Sequence, residues 1–235
     1  MSKKLFGIIG AMDIEVDGLK ATMKNMTTEV RGGIEFAVGT IGEQNVVVAK
    51  CGIGKVFAAM CAQTMILCYS PDVVINTGIA GSLSNEVGVL DMVIAKDVVE
   101  YDMDLSAGGF GNPVGKIPDI DEIHMKCDES ISASLAKVAG STGIKCFSGT
   151  IASGDTFVAD SKKKRWLSDT FGAIACEMEG AAIGQICTFR KVPFSVVRSI
   201  SDGGNEDAAM TYAECAKLAA DNSIRVLKAF LEKQQ

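Results

Sequence analysis

The stretch Val73-Val-Ile-Asn-Thr-Gly-Ile-Ala-Gly81 joins an apolar run to a glycine-rich turn, and this arrangement recurs along the chain. Residues 73–77 predict a strand that is apolar on both faces, which is typical of a strand covered by helices on both sides. Other runs of this kind predict seven further strands, at residues 5–9, 34–41, 46–51, 89–99, 146–152, 173–177 and 194–200.

Helical periodicity lies between these strands. Apolar and small residues recur at spacings of three and four at Val56, Ala59, Met60, Gln63 and Leu67, and residues 133–138, 162–171, 178–189 and 212–232 follow a similar pattern. The alternation predicts an α/β fold with a mostly parallel or mixed sheet and helices outside it. Only four prolines and no low-complexity segment occur, so we expect a single domain over residues 1–235, with the Gly/Pro-rich residues 106–121 as a loop.

Composition excludes several classes of function. The 235 residues are 48% apolar and carry a net charge of −6, and the longest basic run is only residues 162–165, which argues against a nucleic-acid partner. No apolar stretch reaches the ~18 residues of a membrane span. The apolar run before Asp13 is shorter than the ~7–15 residues of a signal peptide, so we expect a cytoplasmic protein.

Cysteine and histidine usage favours a site without metal or redox chemistry. Eight cysteines occur without a CxxC spacing, and Cys61, Cys68, Cys176 and Cys187 stand in apolar runs, so we expect small buried hydrophobic residues rather than disulfides. The single histidine, His124, lies in a polar stretch and is expected at the surface. His-rich zinc sites are thereby excluded. Neither a GxGxxG nor a GxxxxGK[ST] pattern can be written across the glycine-rich turns, so a dehydrogenase is disfavoured.

Carboxylates follow several of the predicted strands. In α/β sheets, ligands bind beyond the carboxyl ends of the strands, and the turns there carry Glu15, Asp155, Glu179 and Asp202. The simpler interpretation is that each carboxylate caps the helix that follows it. Four of them on one edge favour a cleft for carboxylate acid/base chemistry or for hydroxyl recognition.

Six motifs in this order resemble one family. They are Gly7-Ile-Ile-Gly-Ala-Met-Asp-Ile-Glu15, Gly52-Ile-Gly-Lys55, Ile75-Asn-Thr-Gly-Ile-Ala-Gly81, Ser153-Gly-Asp-Thr-Phe157, Cys176-Glu-Met-Glu179 and Val197-Arg-Ser-Ile-Ser-Asp202. Together they resemble the nucleoside phosphorylase/nucleosidase superfamily, above all its bacterial 5′-methylthioadenosine/S-adenosylhomocysteine nucleosidases. The resemblance implies a single three-layer α/β/α domain with a central mixed, partly barrel-like sheet. It also implies a cytoplasmic homodimer that hydrolyses the N-ribosidic bond of 5′-methylthioadenosine and S-adenosylhomocysteine in methionine salvage, without metal or cofactor.

The resemblance also implies a role for individual residues. Glu15 corresponds to the residue that activates the attacking water, and Asp202 to the acid that protonates N7 of adenine. Met178 and Glu179 correspond to the ribose-binding pair. The remaining positions correspond to residues that bind or enclose the substrate. Phe157 and Val158 contact the base, Arg198 supports the carboxylates, and Ser201 also belongs to the substrate site. Met12, Ile53, Ile79 and Tyr212 form pocket walls, and Leu105 and Pro118 lie in a segment that the neighbouring subunit contributes.

Two departures from the family leave alternatives open. Ile79 stands where the family usually has Ser, and Gly108 stands at an aromatic position, for which Phe110 offers a substitute. A phosphate-dependent nucleoside phosphorylase shares the fold, and Lys55 would supply it one cation. Another purine nucleosidase, such as an aminodeoxyfutalosine nucleosidase, would differ only in the 5′ pocket. A non-catalytic nucleoside-binding relative is opposed by the presence of Glu15, Glu179 and Asp202 together.

Overall fold

The computed structural model describes residues 3–109 and 111–233 and contains one mixed sheet. Its strands are β1 (Leu5–Gly10), β2 (Lys24–Arg31), β3 (Ile34–Ile41), β4 (Gln44–Lys50), β5 (Val73–Ser82), β6 (Met92–Glu100), β7 (Met125–Lys126), β8 (Cys146–Ser153), β9 (Ala173–Glu177) and β10 (Phe194–Asp202). The strand order is β10-β6-β8-β9-β5-β1-β4-β3-β2. Because β10 also pairs with β5, the strands β10, β6, β8, β9 and β5 close into a barrel from which the other strands extend.

The described residues form six α-helices, which cover the sheet on two sides. They are α1 (Asp13–Lys20), α2 (Lys55–Tyr69), α3 (Glu129–Ser141), α4 (Ser161–Phe171), α5 (Gly180–Arg190) and α6 (Ala208–Lys233). Helices α2 and α5 pack together on one side, while α1 and α3 both pack on α6 on the other. Separate apolar cores lie on the two sides of the sheet. The predicted α/β class, with its mixed and partly closed sheet, is confirmed.

The strands that position the site are buried along their whole length. Every residue of β5 and β10 is buried, and these two strands run parallel from Phe194↔Val74 to Asp202↔Gly81. Strands β1 and β5 are also parallel. Their carboxyl ends therefore meet at one edge, where the following turns come together.

Several local predictions differ from the structure. Strand β2 is absent from the prediction because it is an edge strand, polar and mostly exposed, and so lacks the apolar signal. Cys68 is exposed, contrary to expectation, while Cys61, Cys176 and Cys187 are buried, and all eight cysteines are free. His124 is partly exposed and its Nδ1 lies 3.0 Å from Asp97 Oδ1.

The apolar residues whose spacing predicted α2 lie on its exposed face and not, as expected, on its buried face. Val56, Met60 and Leu67 are exposed, whereas Ala58, Cys61 and Met65 are buried. The helix is apolar on all sides, so periodicity cannot tell the packed face from the free one. None of the helices formed by residues 3–109 and 111–233 is long and apolar enough to cross a bilayer.

Candidate active site

A cavity of about 330 Å³ opens at the carboxyl ends of the central strands. Its size falls within the range of small-molecule sites. Most of the residues expected at the site line this cavity: Met12, Glu15, Ile53, Ile79, Phe157, Val158, Met178, Glu179, Ser201, Asp202 and Tyr212. Lining residues that the sequence analysis did not single out are Ala11, Ala80, Gly81, Thr156, Cys176 and Glu177.

Glu15 occupies the first turn of α1 and is 1% exposed. Its Oε2 accepts hydrogen bonds from the backbone N–H groups of Ala11 (2.7 Å) and Met12 (2.9 Å), and its Oε1 from that of Ile79 (3.1 Å). Burial raises the pKa of Glu15, while Arg198 and the three N–H groups act in the opposite direction. Glu15 therefore both caps a helix and presents a held carboxylate to the cavity.

Arg198 lies buried beneath the cavity and is not part of its lining. Its Nη2 donates to Glu177 and lies 3.6 Å from Glu179 Oε2, and its Nη1 lies 4.0 Å from Glu15 Oε1. A Cβ atom on Gly78 would collide with both Arg198 and Glu15, so only glycine fits there. One guanidinium thus compensates three buried carboxylates.

Glu177 is the functional residue that the sequence analysis missed. It accepts hydrogen bonds from Arg198, from Ser153 Oγ and from the backbone N–H groups of Glu179 (3.0 Å) and Gly180 (2.8 Å). These donors bind both carboxylate oxygens, and the ion pair with Arg198 makes Glu177 the counter-ion of that guanidinium. A signal was available, since Glu177 ends an otherwise apolar buried strand and a charge there needs a partner.

Glu179 stands at the start of α5 and reaches across to the turn before α2. Its Oε1 accepts from the backbone N–H of Gly54 at 2.8 Å. Gly54 has φ +99°, a conformation that L side chains rarely adopt. Burial, together with the neighbouring Glu177, raises the pKa of Glu179 to about 7, and Arg198 opposes the rise.

Asp202 ends β10 and projects into the cavity. Its Oδ1 accepts from the backbone N–H of Gly204 (2.9 Å) and its Oδ2 from Ser201 Oγ (2.8 Å). Burial raises the pKa of Asp202, and these two hydrogen bonds and the charge of Lys164 oppose the rise. A carboxyl group of this kind is suited to proton donation.

Aromatic and apolar side chains form the rest of the wall. Phe157 is 46% exposed at the mouth and meets the Tyr212 ring edge to face, with the ring centroids 5.6 Å apart. The Tyr212 hydroxyl lies 3.5 Å from Met12 Sδ. Ile79 packs against Ala216 and its neighbours on α6, so this wall is apolar beside Glu15.

Some predicted residues lie outside the cavity. Leu105 and Pro118 are exposed in the segment between β6 and β7 and do not line it, and Phe110 lies outside the described residues. Asp155 accepts from the backbone N–H of Lys55 at 2.8 Å, so it binds the start of the earlier helix α2 and not, as the simpler interpretation had it, the helix that follows it. The Lys55 ammonium lies 2.7 Å from both Glu100 Oε1 and Asp102 Oδ1.

Comparison with known proteins places this chain in a family. The sequence model of the phosphorylase superfamily matches residues 5–232. The chain belongs to the phosphorylase superfamily. A 5′-methylthioadenosine/S-adenosylhomocysteine nucleosidase of Shewanella halifaxensis is 36% identical over 97% of this chain and 98% of its own.

Solved structures of the superfamily share the whole fold. The nucleosidase of that name from Neisseria meningitidis, in complex with methylthio-immucillin-A, superposes with a TM-score of 0.94 at 32% identity, covering 98% of this chain and 100% of its own. Futalosine hydrolase of Helicobacter pylori superposes with a TM-score of 0.92 at 34% identity, covering 98% of each chain. The nucleoside phosphorylase-like fold predicted from the motifs is thereby confirmed.

Proposed function

We propose that this protein hydrolyses the N-ribosidic bond of 5′-methylthioadenosine and S-adenosylhomocysteine and releases adenine. The observation that carries the proposal is the convergence of Glu15, Glu179 and Asp202 on one largely apolar cavity. The Shewanella relative, which covers nearly the full chain and carries that name, supports it. A non-catalytic nucleoside binder would have no need of three buried carboxylates, each costly to desolvate.

Asp202 is the general acid of this proposal. Adenine leaves poorly as an anion, so the bond to ribose breaks readily only if the base is protonated. Burial raises the pKa of Asp202 and so favours its protonated form, and the contact with Ser201 Oγ orients the carboxyl group. Phe157, at the cavity mouth, offers a ring face on which the base can stack.

Glu15 is the general base of this proposal. Two carboxyl groups that flank a scissile glycosidic bond, with room for a water molecule between base and sugar, are the arrangement of an inverting hydrolase. The three backbone N–H groups on Glu15 favour its ionised form, which is the form that accepts a proton from water. Arg198 holds the carboxylate from behind.

Glu179 recognises the ribose in this proposal. Its Oε1 is already bound by Gly54, while its Oε2, 3.6 Å from Arg198, is available to accept from sugar hydroxyls. Negative charge beside the sugar also stabilises the oxocarbenium-like transition state. Met178 lies beside Glu179 on the cavity wall and packs against the sugar.

The cavity favours water over phosphate as the nucleophile. Lys55, the cation that would have served a phosphorylase, is neutralised by Glu100 and Asp102. Ile79 has no hydroxyl to donate to phosphate, unlike the Ser that the family usually has there. The Arg198 guanidinium is already shared among three carboxylates. Burying a phosphate dianion without paired donors costs several kcal/mol.

A phosphate test decides between hydrolysis and phosphorolysis. Methylthioadenosine should be cleaved at the same rate in phosphate-free and phosphate-containing buffer, with adenine and methylthioribose as products. Asp202→Asn, purified identically, controls for contaminating host phosphorylases. Strict phosphate dependence, or a ribose 1-phosphate product, would promote the phosphorylase alternative.

Futalosine-type nucleosides are the second candidate substrates. The superposition with a futalosine hydrolase is nearly as close as that with the named nucleosidases. The chemistry at the ribose is the same, so only the 5′ substituent distinguishes the two. A substrate panel that varies this substituent, followed by adenine release, ranks the two candidates by kcat/KM.

A homodimer is part of the proposal. Val56, Phe57 and Met60 of α2 are exposed, and Phe189 of the adjacent α5 is 70% exposed. Exposed apolar side chains on two helices that pack together favour a protein interface, and a stable dimer buries on the order of 1,600 Å². We further propose that Leu105 and Pro118 reach the partner subunit's 5′ pocket, as the resemblance implies. The cytoplasmic location stays a prediction.

A further inference from the structure

The beginning of α4 holds the loop that follows Asp202. Lys164 Nζ donates a hydrogen bond to the carbonyl oxygen of Gly203 at 2.8 Å. In the same helix, the backbone N–H and Oγ of Ser161 donate to the Glu206 carboxylate at 3.1 and 2.6 Å. The loop is therefore attached at two points to a helix that begins just after Phe157 and Val158.

The hydrogen bond from Lys164 is made to the residue that directly follows Asp202. Gly203 is the residue between Asp202 and Gly204, and the N–H of Gly204 donates to Asp202 Oδ1. A displacement of the Gly203 carbonyl would rotate the peptide that carries this N–H group. The hydrogen bond from Lys164 thus fixes the backbone that orients the carboxyl group.

We propose that Lys164 is a positioning residue for catalysis, which holds the loop behind Asp202 and places a positive charge beside its carboxyl group. The inference rests on the proposed function, in which Asp202 protonates the leaving adenine. Lys164 does not line the cavity, so it acts through Asp202 rather than on the substrate.

Three ionisable side chains, from two helices and one strand, interact electrostatically with Asp202. They are Lys164 of α4, Cys176 of β9 and Tyr212 of α6. Burial raises the pKa of both Cys176 and Tyr212, so these two stay neutral at physiological pH. Of the three, only Lys164 is charged, and its charge lowers the pKa of Asp202 against the effect of burial.

The pH profile of kcat/KM distinguishes this role from a merely structural one. The alkaline limb reports deprotonation of the acid in the free enzyme. In Lys164→Met the alkaline limb should move to higher pH, because burial raises the pKa of Asp202 and the ammonium charge that opposes this rise is lost. At the plateau, kcat should fall about fivefold, which corresponds to one hydrogen bond of about 1 kcal/mol.

Matched variants separate the charge from the hydrogen bond. Lys164→Gln keeps a hydrogen-bond donor for the Gly203 carbonyl but loses the charge. The alkaline limb of its pH profile should therefore move, while most of the plateau rate is kept. Lys164→Arg keeps both and should restore the wild-type profile. Lys162→Met removes the same charge from an exposed site on the same helix and should change nothing. Thermal unfolding of each variant checks that the fold is intact.

The outcomes also separate this inference from the proposed function. If the wild type releases no adenine from any nucleoside of the substrate panel, the proposed function fails. If the wild type is active and the profiles of Lys164→Met and Lys162→Met superimpose, the inference about Lys164 is wrong. A uniform loss of rate in Lys164→Met without movement of the limb would likewise overturn it.

Discussion

Replacement of Arg198 by methionine tests the electrostatic centre of the site. The guanidinium is 1% exposed, and the carboxylates of Glu15, Glu177 and Glu179 around it are 5% exposed or less. Methionine fills much of the same volume but leaves these charges uncompensated. Removing one partner of a buried ion pair costs about 3–5 kcal/mol. With three carboxylates affected, we expect a loss of about 4 kcal/mol, a large part of the roughly 5–15 kcal/mol that stabilises a typical domain.

The loss should depend on pH in a defined direction. In Arg198→Met the pKa values of Glu15 and Glu179 rise further, because Arg198 lowers both in the native protein. The folded state then binds more protons than the unfolded chain, whose glutamates titrate near ~4.3. Stability is therefore lost as pH rises from that value through the raised folded pKa. The variant should lie closer to wild type at pH ~5 than at pH ~8.

Urea unfolding followed by tryptophan fluorescence measures the effect. The single tryptophan, Trp166, packs against Tyr101 and Phe171, so its emission reports unfolding. Arg190→Met, at the exposed end of α5, is the matched control and should change the free energy of unfolding little. A loss below about 1 kcal/mol at pH ~8, or an equal loss at both pH values, would refute the account of Arg198 as the compensating charge.

Three further substitutions test the proposed roles. Asp202→Asn cannot donate a proton and should lower adenine release by roughly 10²–10⁴-fold with an unchanged unfolding midpoint; retention of a tenth of wild-type activity would contradict the assignment. Glu15→Gln should block turnover but keep substrate binding, as measured by calorimetry, whereas joint loss of binding and stability would make it a structural cap. Phe57→Asp should shift sedimentation towards the monomer, and a fully active wild-type monomer at micromolar concentration would exclude the proposed dimer.

The sequence supports prediction of the sheet and of the acidic cleft for a physical reason. Strands such as β5 and β10 are buried on both faces, so their apolar runs stand out. The rule that ligands bind beyond strand ends then brings Glu15, Glu179 and Asp202 together without any knowledge of the loops between them. The family resemblance adds the roles of individual residues.

Other features depend on packing that one sequence does not display. Asp155 and Glu179 both follow strands, yet Asp155 caps α2 while Glu179 faces the cavity, and only the path of the turns decides this. Helix α2 buries Ala58 and Cys61 rather than Val56 and Met60, and because the helix is apolar on all sides, its sequence does not indicate which face packs on α5. The role of Glu177 depends on Arg198, which is 21 residues away in sequence.

Strand β10 is paired on both sides, to β5 and to β6, and it carries Arg198, Ser201 and Asp202. At Val197–Ser199 the strand has no free edge, so the sheet fixes the backbone of Arg198, and Asp202 follows in the same strand opposite Gly81 of β5. Local opening of the surrounding turns leaves this part of β10 in place, because buried central strands open only together with much of the fold. The backbone that carries these three side chains is consequently as durable as the barrel.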